Sequence, residues 1–182
     1  MKNPLILLLS LALPCFTGCA KPVEKSFNSE TVKTLDLNRY MGKWYEIARF
    51  DHRFERGLVG VTAEYSLLPN GKIRVLNSGY KEDFSGKFQS AEGKAKLPDP
   101  AEPGKLKVSF FLWFYADYFV MELDERDYSY AVIGSNSDKY LWILSRTPQL
   151  QEETLAKLLT NLRERGYDTS KLIWVKQKIS RN

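Results

Sequence analysis

Cysteine is nearly absent from this chain of 182 residues: there are two, Cys15 and Cys19. Everything after residue 19 therefore carries no disulfide, no thiol nucleophile and no thiolate metal site. There is one histidine, His52, set in a charged turn, which supports neither a haem nor a metal role. The chain has no Gly-x-Ser-x-Gly, no His-Glu-x-x-His and no glycine-rich phosphate loop, so the commonest hydrolase, metalloprotease and nucleotide-binding chemistries are missing. Among enzymes, carboxylate-only lipid hydrolysis is what this inventory still permits. No apolar run reaches the roughly 20 residues of a membrane-spanning helix. The formal net charge of +5 is spread through interleaved signs, as in "KFQSAEGKAK", and reads as a solvated surface rather than a nucleic-acid face.

What is present begins with an export signal. Lys2 is followed by "PLILLLSLALP" and the small-residue sequence "FTGCA", a short apolar core ahead of a cleavage site. Phe16-Thr17-Gly18-Cys19 resembles the lipobox of bacterial lipoproteins, with Phe16 where that pattern prefers leucine. The resemblance implies cleavage before Cys19 and acylation of its sulfur and amino group, a stable membrane attachment. Ala20 carries no acidic inner-membrane retention signal, so in a two-membrane cell the implied location is the outer membrane. Residues 1–18 are read as signal peptide, 19–34 as a flexible polar tether and 35–182 as one domain. The 164 residues left after removal of the first 18 suffice for a sizeable core.

From Leu35 onward the texture is a succession of period-two runs: 44–50, 59–67, 73–80, 87–97, 106–111, 118–123, 130–133 and 140–144. Asn70-Gly71 marks a tight hairpin and "PDPAEPG" a longer loop. Eight short antiparallel strands predict a sandwich or a barrel. One helix interrupts them. In "TPQLQEETLAKLLTNLRERG", Leu155, Leu158, Leu159 and Leu162 share a face, Glu152 and Glu153 open it and Gly166 caps it. That single stripe packs outside the sheet, and "KLIWVKQK" returns as a final strand.

The order of elements and three motifs resemble the lipocalins, in particular bacterial lipocalins of the outer-membrane lipoprotein type. Gly42-Lys43-Trp44 matches the first lipocalin signature, Asp127-Tyr128 the second, with Arg126 in place of the usual threonine, and Arg146 the third. The resemblance spans about residues 35–178. It implies an all-β, eight-stranded antiparallel up-and-down barrel large enough for one small ligand, with one C-terminal α-helix outside and a short final strand. It also implies that Arg146 lies over Trp44 at the closed end, a structural contact.

A membrane-anchored lipid binder follows, holding a fatty acid or lysophospholipid for storage, transport or envelope maintenance, with no cofactor and no catalysis. Strand alternation turns Val61, Ala63, Tyr65 and Leu67 inward, with Ile73, Val75 and Asn77, and Leu106, Val108 and Phe110. On the eighth strand the family analogy turns Tyr140, Trp142 and Leu144 inward and leaves Leu141 and Ile143 under the helix. "FLWFY" at 111–115 belongs near the rim. The candidate ligand contacts are Ala63, Tyr65, Val75, Asn77, Phe110, Trp113, Tyr115, Trp142 and Arg53, the last meeting a carboxylate or phosphate at the mouth beside Arg56 or His52. The charges of "DHRFERG" equally suit a solvated loop. A second reading is an envelope interaction lipoprotein whose barrel is filled by Trp113, Phe114 and Trp142 and whose surface binds a protein. A homodimer through an exposed edge or the aromatic rim is also open. Replacing the acylation site, Cys19→Ser, is expected to move the protein from the membrane to the soluble fraction on cell fractionation.

Overall fold

The computed structural model describes residues 27–179; the signal peptide, Cys19 and the tether as far as residue 26 lie outside the described residues. A four-residue helix, α1 (Leu37–Tyr40), leads into eight antiparallel strands: β1 (Gly42–Phe50), β2 (Leu58–Leu67), β3 (Ile73–Lys81), β4 (Phe88–Lys96), β5 (Lys105–Phe111), β6 (Phe114–Leu123), β7 (Tyr130–Gly134) and β8 (Leu141–Ser145). Each pairs with the next, and β1 pairs with both β8 and β2, so the sheet closes into a barrel. Helix α2 (Glu152–Glu164) and β9 (Leu172–Trp174) follow. The expected barrel, outer helix and final strand are all present. Residues 27–34, expected to be free tether, instead lie against the wall: Asn28 N–H donates to the Arg165 carbonyl and Val32 N–H to that of Val120.

Alternation explains which residues face in. Ala63, Tyr65, Ile73 and Val75 are buried in an inner cluster with Trp44, Leu106 and Leu144, and Val61 is buried above them. Ile47, Ala48, Val132, Leu141 and Ile143 form an outer cluster under Leu158 and Leu162 of α2. Leu67, expected inside, ends its strand and is 40% exposed. Helix α2 stops as its sequence predicts. Gly166 takes φ +91°, and Tyr167 N–H reaches back to the Leu162 carbonyl, a left-handed termination that favours glycine.

The closed end is built around one guanidinium. Arg146 stands 3.8 Å from the centroid of the Trp44 ring system. Its Nη1 donates to the Lys43 carbonyl at 2.9 Å and its Nη2 to those of Arg39 and Tyr40 at 2.7 and 3.1 Å. Trp44 Nε1 donates to the Tyr40 carbonyl at 2.9 Å, and the indole is fully buried. Gly42 takes φ +91°, and a Cβ there would sit 3.4 Å from Arg146 Nη1, which explains the glycine two places before the tryptophan. Tyr128, at φ +54°, accepts from Asp36 N–H through its hydroxyl, while the Arg39 guanidinium lies 4.1 Å from its ring centroid. Among the described residues Asp127 forms its ion pair with its neighbour Arg126, in the open.

The upper end is looser. β4 pairs with β5 only over Lys94–Lys96, leaving Phe88–Gly93 without that partner. The Phe110 ring covers part of this gap, so close to Gly93 that a Cβ there would meet it at 2.7 Å. On the opposite wall β9 pairs with Ala48–Phe50 of β1, and Gln177 Nε2 donates to the carbonyls of Glu46 and Val61 at 2.8 Å each, tying β1 to β2 above their own pairing. Because Arg146 satisfies four carbonyls, that of Tyr128 included, and covers an indole, Arg146→Leu is expected to lower stability by on the order of 3 kcal/mol, read from urea unfolding, without closing the upper cavity.

Candidate functional site

β1 is not a regular strand. Its register against β8 shifts between Glu46 and Ala48, a bulge that lets both Glu46 and Arg49 face the interior while Ile47 and Ala48 face α2. Glu46 and Arg49 are almost fully buried. Arg49 Nη1 donates to Glu46 Oε1 at 2.6 Å, and Nη2 donates to the Glu55 carbonyl at 2.6 Å. That second bond folds the β1–β2 loop inward and buries the Glu55 side chain. Trp142 Nε1 donates to Glu55 Oε2 at 3.0 Å and Asn77 Nδ2 lies 3.4 Å from Oε1. His52 Nε2 stands 2.9 Å from Glu55 Oε2, at ion-pair length but without the alignment of a hydrogen bond.

Arg49 thus joins the Glu46 carboxyl to the Glu55 backbone, and brings a second carboxyl, that of Glu55, close by inside the barrel. Burial pushes the Glu46 carboxyl up, the Glu55 charge pushes it further, and Arg49 only partly offsets them, so it titrates at about 8. Burial also raises Glu55, but His52, Trp142 and the Arg49 charge outweigh it and hold that carboxyl below its ordinary value. The arrangement is neutral when Glu46 keeps its proton, Glu55 is ionised and Arg49 balances it.

Above this network lies a cavity of about 790 Å³, within the range of ligand pockets. Its polar lining includes Glu55, His52, Asn77 and a Lys107–Asp117 pair 2.5 Å apart. Its floor is the Tyr118 hydroxyl, 2.7 Å from that of Tyr40 and 2.9 Å from that of Tyr65. Burial raises all three phenols, so they act as neutral hydrogen-bonding groups. Tyr140 and Trp142 are stacked, centroids 6.0 Å apart, beside His52. Asn77 Oδ1 and His52 Nδ1 are buried without partners.

Of the residues expected to contact ligand, Asn77, Phe110, Tyr115 and Trp142 line the cavity. Ala63, Tyr65 and Val75 face inward but pack below its floor in the closed-end core, because alternation sets the face and not the height. Arg53 does not line it: the guanidinium lies outside, 4.9 Å from the Phe54 ring centroid. Arg56 is tied to Asp51 in the open. Trp113 is 79% exposed at the β5–β6 tip. Sequence reasoning missed Glu46, Arg49 and Glu55, whose inward placement comes from a bulge and a loop that no period announces. Among the described residues no cluster of side chains is suited to a metal ion.

The lipocalin-like domain profile matches residues 35–177. The chain belongs to the lipocalin family. It is 46% identical over 178 residues to the outer membrane lipoprotein Blc of Vibrio cholerae, covering 98% of this chain and all of that one. It is 49% identical over 146 residues to outer membrane lipoprotein Blc of Escherichia coli K12, covering 80% and 81%. A plant relative, temperature-induced lipocalin-1 of Arabidopsis thaliana, is 45% identical over 79% of this chain and 80% of its own. Among solved structures, insecticyanin of Manduca sexta superposes with a TM-score of 0.66 at 25% identity, covering 85% and 86% of the two chains. The lipocalin is, like its bacterial relatives, an outer membrane lipoprotein.

The Glu46 carboxyl, ordinarily near 4.5, is raised to about 8 in the fold. The folded state therefore holds a proton that the unfolded chain has lost, and stability falls as pH rises between those values. Thermal unfolding of Glu46→Gln from pH 5 to pH 8 is expected to lack this decline, with the variant the more stable protein at the alkaline end.

Proposed function

We propose that this lipocalin carries one single-chain lipid, its acyl chain in the barrel and its headgroup at the level of Glu55 and Asn77. The observation that carries this reading is a preformed cavity, mostly apolar, with unpartnered polar atoms on two of its lining residues, His52 and Asn77. At about 0.8 kcal/mol per buried methylene, a long acyl chain has ample driving force for binding. No step of catalysis is needed.

The polarity of the wall distinguishes the two ligand classes. Lys107 is paired with Asp117, so a free carboxylate finds no unpaired lysine or arginine among the cavity-lining side chains. An ammonium group finds the Glu55 carboxylate and the free Asn77 Oδ1, beside the faces of Trp142 and Tyr140. The favoured ligand is a lysophospholipid with an amine headgroup rather than a fatty acid, held for storage, transport or envelope maintenance. A barrel filled by its own aromatics is the weaker reading, because Trp113 and Phe114 stand out at the rim and the cavity remains.

Displacement of a fluorescent fatty-acid probe from the chain beginning at Lys21 tests both parts. Lysophosphatidylethanolamine is expected to bind about tenfold more tightly than palmitate, a difference of about 1.4 kcal/mol, and Glu55→Gln to erase that difference. No saturable binding of either lipid would end the carrier reading. Equal affinities in the unsubstituted protein would end the headgroup assignment alone.

A further inference from the structure

Strand register places the cavity's polar groups near its bottom. Asn77 on β3 pairs with Ala63 on β2, and the next inward pair down, Val75 with Tyr65, already belongs to the closed-end core. Glu55 meets Asn77 at this level, and its charge adds to burial in raising the Tyr65 phenol just below. Beneath Asn77 the interior is filled by Tyr65, Val75, Ile73 and Trp44. Above it β3 runs on for four residues to Lys81, and β2 for five from Ala63 to Leu58, about 13 to 17 Å of wall. The β5–β6 hairpin repeats the arrangement, with Tyr118 at the floor and the Phe111–Phe114 pair at the mouth. The Ser135 hydroxyl, also at the mouth, is satisfied within its own turn by the backbone of Ser137.

The floor holds a hydrogen-bond donor that the fold leaves without an acceptor. The hydroxyls of Tyr40, Tyr118 and Tyr65 make two contacts, of 2.7 and 2.9 Å, and among the described residues no other group bonds to them. Burial keeps all three phenols protonated. Three O–H protons thus meet two hydrogen bonds, and one proton is left over. If Tyr118 donates to either neighbour, the spare proton falls to Tyr40 or Tyr65, whose rings are packed in the apolar core. If both neighbours donate to Tyr118, the spare proton is its own, and Tyr118 is the phenol of the three that lines the cavity. An acceptor in the cavity selects that second arrangement. Asn77 Oδ1 is in turn a buried acceptor without a donor.

We propose that the lipid sits in the barrel headgroup first, its ammonium against Glu55 and Asn77 Oδ1, a phosphate oxygen accepting from the Tyr118 hydroxyl, and its acyl chain running upward to end among Phe54, Phe111 and Phe114. This rests on the carrier reading and adds a direction and a second polar contact to it. The reverse placement sets a methyl terminus on the floor, where it leaves the Tyr118 proton and Asn77 Oδ1 dry and without partners. Headgroup-first seating pairs both, while Leu58, Val61 and Phe110 keep an apolar wall along the chain. The headgroup is zwitterionic, so its burial adds no net charge beside a network that is itself neutral when Glu46 is protonated.

The test uses the chain beginning at Lys21, which contains every described residue, and lysophosphatidylethanolamine brominated either on the carbon beside the ester carbonyl or at the end of the acyl chain. Bromine quenches tryptophan on contact. Trp142 lies beside Glu55 and Trp44 beneath the floor, whereas Trp113 stands exposed at the β5–β6 tip, so Trp113→Phe leaves the core intact and silences the mouth. In that variant bromine beside the ester is expected to quench emission more strongly than bromine at the chain end. Equal quenching by the two, absence from both included, or stronger quenching from the chain end overturns the proposal. Tyr118→Phe is expected to bind lysophosphatidylethanolamine about tenfold more weakly and the apolar probe N-phenyl-1-naphthylamine as before, which reports an intact cavity. An unchanged affinity for the phospholipid in Tyr118→Phe also overturns it. Failure of both brominated lipids to displace a bound probe ends the carrier reading and the orientation with it, whereas binding with the reverse order of quenching ends the orientation alone.

Discussion

A barrel that keeps its upper half hollow forfeits packing where a small β-domain would otherwise gain most, so the fold depends on the plug at its lower end. There one guanidinium closes the structure. Arg146, at the end of β8, holds the carbonyls that lead into and begin β1 and covers the buried Trp44 indole. Trp44 in turn binds the end of α1 through Tyr40. Support for the hollow half comes from outside, where Leu158 and Leu162 of α2 pack on Ile47, Ala48 and Ile143. The β1–β8 wall is therefore rigid on its outer face while its inner face stays free for polar groups.

The bulge in β1 uses that freedom. A regular alternation would have put Glu46 and Arg49 on opposite faces; the shift at Ile47 turns both inward. Buried ion pairs are poor contributors to stability compared with apolar residues of equal volume, and in this one burial, reinforced by the nearby Glu55 charge, pushes Glu46 toward its protonated form. Its effect is positional. Arg49 holds the Glu55 carbonyl, and without that bond a loop of four charged residues and a histidine would turn out to water. The network thus converts a solvent-seeking turn into the polar wall of the cavity.

This division explains how far the sequence could be read. The strands and α2 were legible because their periods of two and 3.6 are strong and because Asn70-Gly71 and Gly166 sit where turns and caps need them. The faces of β2 and β3 were legible for the same reason, whereas that of β8, apolar on both sides, came from the family resemblance. Height was not: Ala63, Tyr65 and Val75 have the right face but belong to the plug, while Val61 and Asn77, two places nearer the mouth, reach the cavity. In "DHRFERG" no periodicity tells Arg53 from Glu55; a hydrogen bond from Arg49 selects the glutamate. Trp113 sits in an uninterrupted aromatic run, where alternation has nothing to work on.

That run remains the part of the sequence that folding alone does not explain. Free in solution, a tip such as Phe111 to Phe114 is a liability for self-association. Its place explains why it is kept: Phe110, Phe111 and Phe114, with Phe54 of the facing loop, line the mouth of the cavity, so the side chains that the core leaves out form the threshold of the hollow half. A polar rim there would set a hydrated barrier before an apolar interior, whereas an aromatic one continues the apolar lining to the opening, at the cost of exposed surface.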